Sequence, residues 1–229
     1  MGNINSVFFN PEELKLIKES PEDRRRFIDI SISQMNRGYF YALQKYKKIL
    51  GERNNLLKTP DKEVVYETCS HYIRQLKKFI TPETELLDVG TGSGILAILS
   101  LMFGAKHAVG TDLDICAIDA VADNCANNGI APEQFEMMIG NIITDKEIQD
   151  KVGYECYDIV VANILADVLV PLTPVIINQL KPGGIYITSG IIDDKEQTVV
   201  DAVKAAGLEL VEVTYQGEWV SVTAMKPAV

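Results

Sequence analysis

From residue 81 onward, short solid apolar runs alternate with longer stretches in which apolar residues recur at helical spacing. Glu85–Val89 is the first short run. It stops at three glycines two apart, Gly90, Gly92 and Gly94, and Ile95-Leu96-Ala97-Ile98-Leu99-Ser100-Leu101 follows as a helix former. His107–Asp112 is a second strand. Residues 115–128 read as a helix, with Ala117, Ala120, Val121 and Ala126 for packing and Asn128-Gly129 as a stop signal. Phe135–Ile139 is a third strand, running into Gly140-Asn141. Residues 157–162 are a fourth, apolar after Asp158 as a strand covered on both faces should be. A helix over 166–180 contains Pro171 and Pro174, which predict a kink. Lys181-Pro-Gly-Gly184 predicts a turn into a fifth strand over 185–189. Residues 194–206 form a helix closed by Gly207, and 208–215 and 219–225 a hairpin across Gln216-Gly217-Glu218. The pattern predicts an α/β fold with a mostly parallel sheet and an antiparallel edge.

The first 80 residues read differently. Helical spacing predicts two helices, over about 21–35 and 39–57, the second with Tyr39, Leu43, Tyr46, Leu50 and Leu57 on one face. Thr59-Pro60-Asp61 serves as linker and cap of a lead-in helix. Charge divides at the same place. Residues 1–80 carry 15 Lys/Arg and 10 Asp/Glu, residues 81–229 carry 7 and 22, and together they give the net charge of −10. A basic appendage on an acidic body implies that the parts dock electrostatically or meet different partners. The expected organisation is a helical segment over 1–58, a linker and lead-in over 59–80, and a ligand-binding domain over 81–229.

Composition narrows the function classes. No apolar run approaches the ~20 residues that span a bilayer, and no signal peptide is visible. Cys69, Cys116, Cys125 and Cys156 form no C-x-x-C pair, and His71 and His107 are the only histidines. That argues against a metal site and for reduced thiols in a cytoplasmic setting.

The candidate chemistry lies in the glycine loop. Strand, tight glycine turn and helix make the first unit of a nucleotide-binding sheet, with helix N–H groups presented to a ligand. The spacing is G-x-G-x-G opened by Asp88, and Ile95 stands where the third glycine of a dinucleotide fingerprint would fall. An oxidoreductase using a nicotinamide cofactor is therefore a distant reading. Asp112, ending the second strand, is placed to accept hydrogen bonds from ribose hydroxyls.

The loop resembles motif I of class I methyltransferases, which bind S-adenosylmethionine. The stretches Leu-Leu-Asp-Val-Gly-Thr-Gly-Ser-Gly-Ile-Leu-Ala-Ile, Val-Val-Ala-Asn-Ile-Leu-Ala-Asp-Val-Leu, Leu-Lys-Pro-Gly-Gly and Gly-Glu-Trp-Val resemble the PrmA family over about residues 62–227. Members of that family methylate amino groups of the ribosomal stalk-base protein L-eleven. The resemblance implies the class I methyltransferase fold, Rossmann-like and seven-stranded, with a protein amino group as methyl acceptor. It also implies a cofactor set of Asp88, Gly90, Thr91, Gly92, Gly94, Asp112, Asn141, Asn163 and Thr68. Asp88 would support the glycine loop or reach the methionine amino group through water. Asn141 would meet the adenine amine, and Asp114 is a weaker candidate that also suits a helix start. Asn163 and Ile164 are the implied catalytic pair, since related amine methyltransferases begin N-P-P-Y with this asparagine. The Asn163 amide oxygen would accept from the amine, with the Ile164 carbonyl as second acceptor. Asn163 also suits the N-cap of the following helix.

Two departures stand beside these matches. Where the family carries G-T-G-x-H-x-T-T, this chain has Lys62-Glu-Val-Val-Tyr66-Glu-Thr68-Cys69, with Thr68 retained and Tyr66 in the histidine place. In place of the family's N-terminal recognition domain, residues 5–58 resemble an internal piece of the RecF recombination and repair ATPase. The resemblance is carried by Arg24-Arg25-Arg26-Phe27 and Arg53-Asn54-Asn55, without any phosphate-binding G-x-x-x-x-G-K-[ST] loop. This segment reads as a lid over the site, as an arm contacting nucleic acid or a partner through Arg24, Arg25, Arg26, Lys45, Lys47 and Lys48, or as a fusion. The leading expectation is an S-adenosylmethionine-dependent N-methyltransferase acting on a protein. The rival is a non-catalytic binding or scaffold module on the same fold.

Overall fold

The computed structural model describes residues 71–228. The expected 1–58 helical segment, residues 59–70 and Thr68 lie outside the described residues. Helix α1 (His71–Phe79) leads into strand β1 (Glu85–Val89), helix α2 (Ile95–Met102), β2 (His107–Asp112) and α3 (Cys116–Asn127). Then come β3 (Phe135–Ile139), α4 (Lys146–Val152), β4 (Tyr157–Asn163), α5 (Ala166–Ile176) and β5 (Leu180–Ile192), and finally α6 (Glu196–Ala205), β6 (Glu209–Gln216) and β7 (Trp219–Met225). The seven strands form one sheet in the order β3-β2-β1-β4-β5-β7-β6. Its first five are parallel, while β7 runs antiparallel between β5 and β6. This is the class I methyltransferase fold expected from the sequence.

Strand periodicity explains the layering. Successive strand residues point to opposite faces, so Leu86, Ile159, Val161, Ile185 and Ile187 face α1, α2 and α3. Leu87, Val160, Ala162 and Tyr186 face α4, α5 and α6. Both faces are covered, which is why β1 and β4 read as solid apolar runs rather than alternating ones. Helix α2 is buried from Leu96 to Met102, each large side chain contributing roughly 1.5–3 kcal/mol relative to an exposed one.

Several boundaries differ from the sequence reading. Helix α5 ends at Ile176, and Lys181-Pro-Gly-Gly184 lies within β5 instead of preceding it. Pairing jumps there from Tyr157↔Leu180 to Ile159↔Ile185, so the loop-forming residues are an excursion on a strand that has already begun. Helix α4 had no counterpart in the sequence reading. It is nucleated by Asp145, whose side chain accepts hydrogen bonds from the backbone N–H of Glu147 and Ile148 at 3.0 and 3.4 Å.

The two halves of the sheet diverge from the β1–β4 pair, which opens a crevice at the carboxyl ends of these strands. Loops after β1, β2, β3 and β4 all reach it.

Candidate active site

The glycine loop is held by backbone and by a buried acid. Gly90 and Thr91 both donate backbone N–H groups to the Thr111 carbonyl, at 2.8 and 3.1 Å. Asp88 is 1 % exposed, and its Oδ2 accepts from the Thr91 hydroxyl at 2.8 Å and the Ala97 N–H at 3.2 Å. Burial pushes its carboxyl up to about 7, against the two hydrogen bonds and with a smaller push from the Asp112 charge. Of the two roles the sequence allowed, this geometry matches support of the loop.

Asp112 ends β2 half-buried at the crevice. Its Oδ2 accepts from the Gly92 N–H at 2.8 Å and its Oδ1 from the Asp114 N–H at 2.9 Å. The carboxylate is thereby aimed by backbone, and no cation pairs with it among the described residues. Asp114 turns its own carboxylate to the Cys116 N–H at 3.0 Å and so serves the start of α3.

Asn141 shapes the turn after β3, its Oδ1 accepting from the Ile143 N–H at 3.0 Å. Gln149 on α4 fixes the same turn from below, donating to the Ile142 carbonyl at 2.9 Å. These loops enclose a cavity of about 560 Å³ bordered by Gly90, Thr111, Asp112, Asn141, Ile142 and Ile164, within the range of small-molecule sites. Thr111 and Ile142 were not singled out by sequence. The Thr111 hydroxyl is buried against the cavity and makes no hydrogen bond, and Leu113 and Leu165 stand 70 % exposed at its border.

Asn163 and Ile164 follow directly from β4. Ile164 lies so close to Gly90 that a Cβ there would stand 2.6 Å from its side chain, so only glycine permits the contact. Asn163 is exposed and its amide bonds to none of the described residues. The N-cap position of α5 belongs to Leu165, without a side-chain bond, so the capping alternative for Asn163 does not hold. A free amide and a neighbouring carbonyl at the crevice are two acceptors for an N–H donor. Thr68, the remaining expected contact, is outside the described residues.

The comparisons with known proteins follow the same boundaries. The family model for ribosomal protein L11 methyltransferase (PrmA) matches residues 65–227. The ribosomal protein L11 methyltransferases of Lachnospira eligens and Agathobacter rectalis are each 52 % identical, over 70 % of this chain and 51 % of their own length. The chain thus spans about half the length of the curated relatives it matches. A crystal structure of a ribosomal protein L11 methylase from Lactobacillus delbrueckii subsp. bulgaricus aligns with a TM-score of 0.60 at 28 % identity, covering 69 % of this chain and 80 % of that one. The cyclase SpnF, at 14 % identity and a TM-score of 0.56 over 69 % of this chain and 81 % of its own, shares the fold alone. With the family model covering the sheet and every described loop of the crevice, the chain belongs to the ribosomal protein L11 methyltransferase family.

Proposed function

We propose that this chain is an S-adenosylmethionine-dependent N-methyltransferase whose acceptor is an amino group on a protein, a ribosomal protein in the cytoplasm. The observation that carries the reading is the convergence of four strand ends on one cavity: Gly90 of the glycine loop, the Asp112 carboxylate with no cation partner among the described residues, the Asn141 turn, and Ile164, whose neighbour Asn163 stands just outside the lining. The buried, unpartnered Thr111 hydroxyl fits a polar ligand in that cavity. Gly92, at φ +53, has no atom within 4 Å of where a Cβ would stand, so the glycine loop leaves room beside it for a ligand.

S-adenosylmethionine bound here supplies an electrophilic methyl on a sulfonium that already carries its leaving group. Asp112 would hold the ribose hydroxyls, since a carboxylate accepts both as charge-assisted bonds. Asn141 would face the adenine amine, with Leu113 and Ile142 giving apolar contact to the base. Asn163 Oδ1 and the Ile164 carbonyl would accept from the neutral amine and turn its lone pair toward the methyl. Neither acceptor is basic enough to remove the proton, so the amine loses it to water before or during binding. The relatives' names specify a ribosomal substrate, and that specificity is part of this proposal.

Calorimetric titration with S-adenosylmethionine, followed by methyl transfer to purified ribosomal protein L11, tests the reading. Micromolar binding with transfer is expected. Binding without transfer would favour the non-catalytic reading, and no binding at millimolar ligand would sink the enzyme and leave the fold as a scaffold.

A further inference from the structure

Strand β5 contains a glycine whose placement the cofactor site does not explain. Its pairing with β7 runs Thr188↔Val222 and then Ile191↔Val220, so three steps on β5 oppose two on β7. The extra residue is a β-bulge at Ser189 and Gly190, with Gly190 at φ +78, the left-handed conformation that such bulges use. The bulge is tied down at its entry, by Ser221 donating to the Thr188 carbonyl at 2.8 Å and the Thr188 hydroxyl donating to the Val222 carbonyl at 3.1 Å. A Cβ on Gly190 would stand 2.9 Å from the Ile164 carbonyl oxygen and 3.0 Å from Asn163 Oδ1. These are the two acceptor atoms of the candidate site, and no other glycine of the described chain stands this close to both.

We propose that Gly190 is a positioning residue for methyl transfer: the bulge presses its bare Cα against the two acceptors and sets where both oxygens point. This rests on the amine-methylation reading above. Ile164 is then braced by two glycines, its side chain by Gly90 from β1 and its carbonyl by Gly190 from β5. A side chain at 190 forces the Ile164 carbonyl or β5 itself to shift, and pushes Asn163 Oδ1 by a few tenths of an ångström, so the spacing between bulge and acceptors changes. Misplacing an acceptor by a fraction of an ångström acts on the orientation of the amine and leaves the cofactor contacts of β1, β2 and β3 untouched.

The same strand supplies the control. Gly183 also has φ +78, but a Cβ there would meet nothing within 4 Å. Gly183→Ala therefore carries the backbone strain of Gly190→Ala without the contact. Both variants are made in the full chain. Gly190→Ala is expected to lower kcat toward ribosomal protein L11 at least tenfold relative to Gly183→Ala, with S-adenosylhomocysteine affinity within twofold of the unmodified chain. It is also expected to move the Asn163 side-chain amide resonances, which Gly183→Ala leaves in place. Equal turnover in the two variants, or unmoved Asn163 resonances in Gly190→Ala, overturns the proposal. Should the unmodified chain methylate no amine, the functional reading fails, and the Asn163 resonances still decide whether Gly190 positions that side chain. Should Gly190→Ala not fold, the unmodified chain decides: nuclear Overhauser contacts from the Gly190 α-protons to the Asn163 side-chain amide support the proposal, and their absence overturns it.

Discussion

At the scale of single residues, Asp112, Asn163 and Asp88 stand in three different settings. Asp112 is aimed outward by two backbone N–H groups, so Asp112→Ala should weaken S-adenosylmethionine binding about 10- to 100-fold, the loss expected for charge-assisted hydrogen bonds. Calorimetry reads this directly, and unchanged affinity would remove Asp112 from the ribose role. If Asn163 orients the amine as proposed, Asn163→Ala should leave that affinity within a few-fold and lower kcat by about 10²-fold. Asp88 faces inward. Its carboxyl, held near 7 by burial, binds a proton in the folded chain that the unfolded chain releases near 4. That contribution to stability is complete below the unfolded value and is lost as pH rises through about 7. Denaturant midpoints should therefore fall between pH 4 and pH 7, by up to a few kcal/mol in free energy. Asp88→Asn should flatten this part of the profile. The positions of Asp88, Asp112 and Asn163 were legible in the sequence because each ends a strand or opens the glycine turn. Gly190 was not, since its role depends on a one-residue offset between β5 and β7 that no single strand displays.

At the scale of elements, the strands were easier to read than what joins them. β1, β2 and β3 are apolar runs bounded by glycine or aspartate, and their limits coincide with the structure. β5 was truncated because Lys181-Pro-Gly-Gly184 has the composition of a turn. The strand tolerates it because Gly183 and Gly184 bond to Lys226 across the sheet end, at 2.8 and 2.9 Å. Helix α4 was missed for a different reason. Only Ile148 and Val152 face the core, and two apolar residues in seven give little periodicity. The signal that could have found it is Asp145 followed by Lys-Glu-Ile, a capping residue before a short helix. This helix carries Gln149, which clamps the turn that presents Asn141. Asp145→Ala should cost about 1 kcal/mol of stability, the usual worth of an N-cap. By loosening that turn it should also raise the Kd for S-adenosylmethionine several-fold. A loss of stability with unaltered Kd would show that α4 is merely an outer support.

For the whole molecule, the described residues form one sheet with two cores, and the crevice is where the sheet's two halves part. Ligand binding at such a seam ties both halves to the folded state. At a concentration 100 times its Kd, S-adenosylmethionine should stabilise the protein by about 2.7 kcal/mol. Thermal unfolding with and without cofactor measures this, and at the same concentration a tenfold loss of affinity in Asp112→Ala should shrink the increment to about 1.4 kcal/mol. The fold class was readable from alternating strand and helix patterns, and family membership from motifs spread over most of the sheet.

The clasp around Lys226 has a practical consequence. Its ammonium bonds to the carbonyls of Ile177 and Leu180 at 3.0 and 2.8 Å and to Glu155 at 2.9 Å. The end of β7 is thereby anchored beside the start of β5, at the pole of the sheet opposite the crevice. A tether joined after this lysine, to a sensor chip or a bead, pulls on a triple-bonded anchor and leaves the strand ends that bear Asp112 and Asn163 turned toward the solution.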